Sequence, residues 1–205
     1  MAPQPGKDSP AVQARRRRQQ DRIVHAAKNL FARQGIHRTS MQQIAAEAGM
    51  SVGSLYQYLP NKEAIIAEAT RANDRATAQV LGEHPDLDQL RDLLGQTLRR
   101  TAAAAVEHVA LNVEISAEGS RNPVVAERLA EQFETSCELL ADAFRRLDPE
   151  LDRQESRLRA ELYIVAQAGL STLRASRVRA TGLAEAGDRI LDLVLPPSKP
   201  AKENP

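Results

Sequence analysis

Residues 39–65, "TSMQQIAAEAGMSVGSLYQYLPNKEAI", decide the fold. Thr39 with Gln42, or Ser40 with Gln43, has the spacing of a capping box, in which a hydroxyl and an amide side chain satisfy each other's backbone N–H groups. Met41, Ile44, Ala45 and Ala48 then fall on one face of a short helix that Gly49 ends. Ser51 is suited to cap a second short helix with Val52 or Leu55 inward and Leu59 one turn on. Pro60 disfavours helical geometry at the residue before it, so that helix stops near Tyr58. Asn61 is a natural N-cap for the next helix, with Glu63 near its positive end.

Upstream, Ile23, Ala27, Leu30 and Phe31 recur at helical spacing and predict a helix over about 17–34, closed by Gly35. Three helices, the last two joined by a tight Gly-containing turn, describe a helix-turn-helix unit. The chain has three tyrosines, and Tyr56 and Tyr58 both lie in its second short helix among Gly, Ser and Gln. If that helix enters a major groove, the small residues let the backbone approach base edges while tyrosine hydroxyls reach phosphate oxygens. The plain alternative is that the two rings, pointing in different directions, include one that is simply core.

Charge agrees with a nucleic-acid partner. Residues 1–62 carry ten Lys or Arg against Asp8, Asp21 and Glu47, a net of +7. Residues 63–205 carry 18 basic and 24 acidic residues, a net of −6, so a basic head joins an acidic body. The run Arg15–Arg18, just before or at the start of the first helix, can reach a flanking phosphate or the minor groove as a mobile arm, or serve only as a solubilising tail.

These residues resemble the DNA-binding segment of the TetR family of bacterial transcriptional regulators. The resemblance is carried by Thr39, Ile44, Ala45, Ala48, Gly49, Ser51, Gly53, Leu55, Tyr56, Tyr58, Leu59, Lys62 and Glu63, within about residues 20–66. It implies phosphate contacts from Thr39, Tyr56 and Lys62. Groove contacts are implied from Ser51, Val52, Gly53, Ser54, Gln57 and Tyr58, and Gln42 belongs with the DNA-facing set. Val52, Gln57 and Leu59 depart from the family pattern; Val52 can meet a thymine methyl and Gln57 can pair with adenine, so base preference is what they alter.

The rest of the chain reads as helical. Apolar spacing and breakers such as "EGSRNP", "LDPE" and "RATG" place helices near 62–81, 86–103, 105–119, 123–147, 153–178 and 182–195, with 86–119 open to being one continuous helix. No run alternates as a strand does, so the fold class is all-α: an N-terminal three-helix DNA-binding domain followed by a larger helical domain. The expected divisions are a disordered tail at 1–14, the helix-turn-helix domain at 15–62, the helical body at 63–195 and a disordered tail at 196–205.

The body shows no HExxH, phosphate-cradling glycine loop, Cys-x-x-Cys or nucleophile elbow, so neither catalysis, a metal nor a cofactor is expected. One cysteine, Cys137, fits a reducing compartment, and neither a leader nor a membrane-spanning run is visible, so the expected location is cytoplasmic. The resemblance implies effector binding and dimerisation for 63–195. For dimerisation the candidates are Leu158, Leu162, Val165, Gly169, Leu173 and Ser176, then Leu183, Ala186, Ile190, Leu193 and Val194. For an effector pocket they are Thr97, Thr101, His108, Asn112, Phe133 and Cys137. The expected partners are therefore an operator duplex, a second copy of the chain and a small-molecule effector. The alternative is a DNA-binding regulator without a small ligand, its body serving dimerisation or protein interaction.

Overall fold

Local capping signals set most of the helix boundaries in the computed structural model. It describes residues 9–104, 106–178 and 182–195, with the side chains at 107, 108, 183 and 184 outside the description. Every regular element among the described residues is α-helical. Helix α1 spans Pro10–Gln34, α2 Met41–Glu47, α3 Val52–Tyr58, α4 Lys62–Gly82, α5 Leu87–Ala103, α6 Val106–Gly119, α7 Pro123–Leu147, α8 Arg153–Ala175 and α9 Leu183–Val194.

The start of α1 differs from the expectation of about residue 17. Ser9 accepts a hydrogen bond from Val12 N and Pro10 occupies the first helical turn, so this start signal carries helix into the segment expected as a tail. Residues 1–8 and the expected tail at 196–205 lie outside the described residues. At α2 the capping box is Ser40 with Gln43, closed in both directions at 2.8 and 3.2 Å. Ser51 caps α3 through Ser54 N at 3.1 Å, Asn61 accepts from Ala64 N at 2.8 Å, and Asp86 with Gln89 caps α5. Ala104, in extended backbone, separates α5 from α6 and resolves the open boundary there.

The chain forms two compact units. The first comprises the described residues up to Ala72 together with Glu114–Leu129. Ile23, Ala27, Leu30 and Phe31 of α1, Ile44 and Ala45 of α2, Leu55 of α3, and Leu59, Ile65 and Ile66 supply its buried apolar side chains, as do Ile115 and Val125. Gly49, at φ 62°, makes the α2–α3 turn that a side chain resists.

The second unit holds residues 73–113 and those from Ala130 onward. Leu90, Leu94 and Leu98 of α5 pack with Cys137, Leu140 and Phe144 of α7, Ala160, Tyr163 and Leu170 of α8, and Leu191 and Val194 of α9. Helices α5 and α9 approach closely because Gly95 faces Leu191, where a Cβ would stand 2.9 Å from a Leu191 methyl. Arg91–Asp192 and Arg99–Asp188 ion pairs, both 2.9 Å, join the same two helices. Helix α8 buries Ser156, Ala160, Tyr163, Leu170 and Ser171 on one side. From the other side Leu158, Leu162, Val165 and Leu173 project, 56, 43, 62 and 38% exposed.

Candidate nucleic-acid interface

The alternation of burial along α3 presents one side of that helix. Leu55 and, just beyond its end, Leu59 are buried, whereas Ser51, Gly53, Tyr56 and Gln57 are exposed and Val52, Ser54 and Tyr58 are half-buried. Tyr56 is 47% exposed, and neither Tyr56 nor Tyr58 donates or accepts a hydrogen bond among the described residues. Two free phenol hydroxyls thus flank a strip of backbone narrow enough, at Gly53, for another molecule to approach; nothing stands within 4 Å of a Cβ built there. Gln42 is exposed on α2.

Thr39 is placed otherwise than expected. It is 2% exposed, its hydroxyl donates to Gly35 O at 2.8 Å and accepts from the Gln34 amide at 3.2 Å. An enclosed hydroxyl with both roles filled has no surface to offer a phosphate, so its phosphate contact is withdrawn. The sequence left the capping choice between Thr39 and Ser40 open, and taking Ser40 as cap turns Thr39 inward. Lys62 is half-buried and also serves the fold, since its Nζ donates to Ile36 O at 2.9 Å and ties α4 to the loop after α1.

The first unit also contains a set of contacts that sequence reasoning missed. The Glu114 carboxylate lies 3.5 Å from Ile36 N, and His37 Nε2 is 3.0 Å from both the Glu118 carboxylate and the Arg121 guanidinium. Asn122 donates to Glu63 at 3.3 Å and Arg128 Nε to the Thr70 hydroxyl at 2.8 Å. These pairs are 58 to 84 residues apart, and no local pattern in the sequence announces them. Near the turn, Arg22 donates to Gly49 O at 3.2 Å and Arg33 pairs with Glu47 at 3.1 Å.

The model of the family described as bacterial regulatory proteins, tetR family, matches residues 23–69. Residues 23–69 are thus similar to the DNA-binding segment of the TetR family. The matched span runs from the first buried residue of α1 to within α4, so the three helices just described and the start of the fourth are the family's own segment. The transcriptional regulator UidR of Escherichia coli K12 is 33% identical over 129 residues, 60% of this chain. That match spans 63% of the relative's length, under two thirds of it. The structure of Salmonella enterica GusR aligns over 93% of this chain and 99% of its own with a TM-score of 0.68 at 28% identity. A structure of the multidrug binding protein EbrR complexed with imidazole covers 91% of this chain and 98% of its own with a TM-score of 0.59 at 23% identity, a likeness of fold. These relatives are regulators and binding proteins, not enzymes.

In the second unit the expected pocket residues differ in burial. Thr97 and Thr101 are half-buried on α5 and return their hydroxyls to Leu93 O and Thr97 O of their own helix, both at 2.9 Å. Cys137 lies fully inside the core cluster and Phe133 packs half-buried against it. Burial pushes the Cys137 thiol up to about 11. Asn112 is exposed on α6, and the side chain of His108 lies outside the described residues. Sequence reading passed over Tyr163, whose buried hydroxyl donates to Leu94 O at 3.1 Å beside Thr97. Burial raises its pKa, so it stays a neutral donor. Its place in the apolar pattern of α8 disguised it as ordinary core. Among the described residues no helix is long and apolar enough to cross a membrane, and no three His, Cys, Asp or Glu side chains gather as a metal site requires.

Proposed function

We propose that the chain is a cytoplasmic, ligand-responsive transcriptional regulator, a repressor that binds a palindromic operator as a homodimer and is released by a small-molecule effector. The observation that carries the DNA reading is the presented side of α3: Ser51, Gly53, Tyr56 and Gln57 outward on a helix held from behind by Leu55 and Leu59. Val52, Ser54, Gln57 and Tyr58 read the major groove, Tyr56 and Lys62 hold phosphates, and Gln42 supports the crossing of the backbone by α2. Helix α8 supports the dimer. Its two apolar sides face opposite ways, and a lone subunit has use for only one of them.

Selection from a randomised duplex library with the full chain tests this directly. The expected product is a two-fold symmetric site whose halves lie about one helical turn, roughly 34 Å, or a multiple of it apart. Failure to enrich any sequence over the input overturns the reading. Substituting Val52 or Gln57 then changes which bases are selected.

For the effector, the complex of EbrR with imidazole supports a small molecule as ligand of this fold. Helices α4, α6 and α7 each contribute residues to both compact units, so a ligand in the second unit that moves these helices alters the separation of the two recognition helices. Native mass spectrometry of the purified chain, followed by operator titration with whatever co-purifies, tests this step. The alternative, a second unit that only dimerises, is favoured by the close burial of Cys137, Leu140, Phe144 and Tyr163 where part of the pocket was expected. A chain that retains full operator affinity in the presence of every bound or added compound supports that alternative.

A further inference from the structure

Ala11 to Arg18 form more than two turns of α1 that stand exposed on every side before the first buried residue, Ile23. This stretch contains Arg15, Arg16, Arg17 and Arg18, and none of the four has an ion pair or hydrogen bond among the described residues. Local physics opposes their position. They lie toward the positive end of a helix with no acid in its first turn, and Arg15–Arg18 and Arg18–Arg22 are like-charge pairs at i,i+3 and i,i+4. Asp21, three and four positions beyond Arg18 and Arg17, is the one acid in α1 and offsets only part of that repulsion, so the arrangement suits an external polyanion.

The direction of the extension selects which arginines meet it. Arg22 reaches Gly49 O in the turn that opens α3, and Arg22, His25, Ala26 and Asn29 of α1 line a cleft with Glu47 and Ala48 of α2. That row of α1 therefore looks toward the α2–α3 turn. Continued toward the N-terminus at 3.6 residues per turn, the row passes through Arg18 and Arg15, about 6 and 10 Å farther along the axis, while Arg16 and Arg17 each point about 130° away from it, one to either side. We infer that Arg15 and Arg18 form a second phosphate-binding element, a rigid helical extension that engages the DNA backbone flanking the groove occupied by α3. The inference rests on the DNA-binding reading above and replaces the mobile arm expected from the sequence.

Each phosphate neutralised on duplex DNA contributes about 0.9 to the slope of log affinity against log salt. Two arginines correspond to about 1.8 per bound protomer, which between about 50 and 200 mM salt is roughly a 12-fold difference in affinity change. The full chain, Arg15→Ala/Arg18→Ala and Arg16→Ala/Arg17→Ala are titrated onto a fluorescent 40-base-pair duplex of mixed sequence across that range, with helicity checked by circular dichroism. The expected result is a slope reduced by about 1.8 per protomer for the first double variant and by less than half of that for the second. An unchanged slope for Arg15→Ala/Arg18→Ala, in a chain that still binds the duplex, overturns this inference alone. Equal reductions for the two variants overturn the assignment to one row. A parent chain that binds no duplex removes both this inference and the reading beneath it. A loss seen only on phosphatidylglycerol vesicles, with duplex binding unaltered, assigns the run to membranes and overturns it.

Discussion

Replacing Leu162 and Val165 by Glu puts the doubly apolar character of α8 to a quantitative test. In the single chain these residues are 43 and 62% exposed, so roughly half of each side chain remains to be covered by a partner. Full burial of such a side chain is worth about 1.5–3 kcal/mol, so the uncovered half is worth on the order of 1 kcal/mol. Two positions in each of two copies give about 4 kcal/mol, before any cost of setting carboxylates against an apolar face. At about 1.4 kcal/mol per tenfold, the dimer dissociation constant rises on the order of 1,000-fold or more. Sedimentation velocity at micromolar concentration reads the shift from dimer to monomer. Operator affinity falls with it because the two recognition helices no longer act as one ligand. Helix content stays unchanged, since both positions are on the surface of the single chain. A variant that remains dimeric, and binds the selected operator as the parent does, refutes the assignment of this face to the subunit interface.

Three other outcomes are expected. Tyr56→Phe removes an exposed hydroxyl that bonds nothing else among the described residues, so it weakens every duplex sequence alike, by on the order of tenfold for a hydrogen bond to a charged phosphate; thermal stability of the free protein is unchanged, and a sequence-dependent loss in competition binding argues against the phosphate role. Burial pushes the Cys137 thiol up to about 11, above its ordinary value of roughly 8.5. Native protein therefore resists alkylation at mildly alkaline pH. Because the folded state holds the proton more tightly, the thiol's contribution to stability is fully present below about 8.5 and is lost as pH rises toward about 11, on the order of 3 kcal/mol across that window. Denaturant titrations of Cys137→Ala show a shallower decline over the same range. Gly95→Ala sets a methyl 2.9 Å from a terminal methyl of Leu191, which must turn aside, while alanine relieves the helix of a glycine; the two effects oppose, so urea unfolding shifts by less than about 1 kcal/mol, and a loss near 3 kcal/mol argues against that balance.

The residue sequence by itself determined what depends on neighbours a few positions away. Ser40, Ser51, Asn61, Asp86 and Pro60 act on backbone groups within one turn, so α2 to α5 start, and α3 stops, where those residues say. The order of polar and apolar residues in α3 likewise decided that Leu55 turns inward and Tyr56 outward. The TetR resemblance was legible for the same reason, since its motif lies in one unbroken stretch. The late start assigned to α1 failed on a local signal that was present but overlooked, Ser9 before Pro10.

Tertiary structure alone decided everything that joins distant parts of the chain. Only the fold showed that Glu114, Glu118, Arg121 and Asn122 belong with the loop after α1 and the start of α4, that Lys62 spends a donor on Ile36 O, and that Tyr163 meets Leu94. It also separated the two apolar sides of α8 into one buried and one left open, which a stripe of leucines cannot do for itself. Caps and periodicity are properties of a few consecutive residues, whereas burial depends on which surfaces meet when the chain closes on itself.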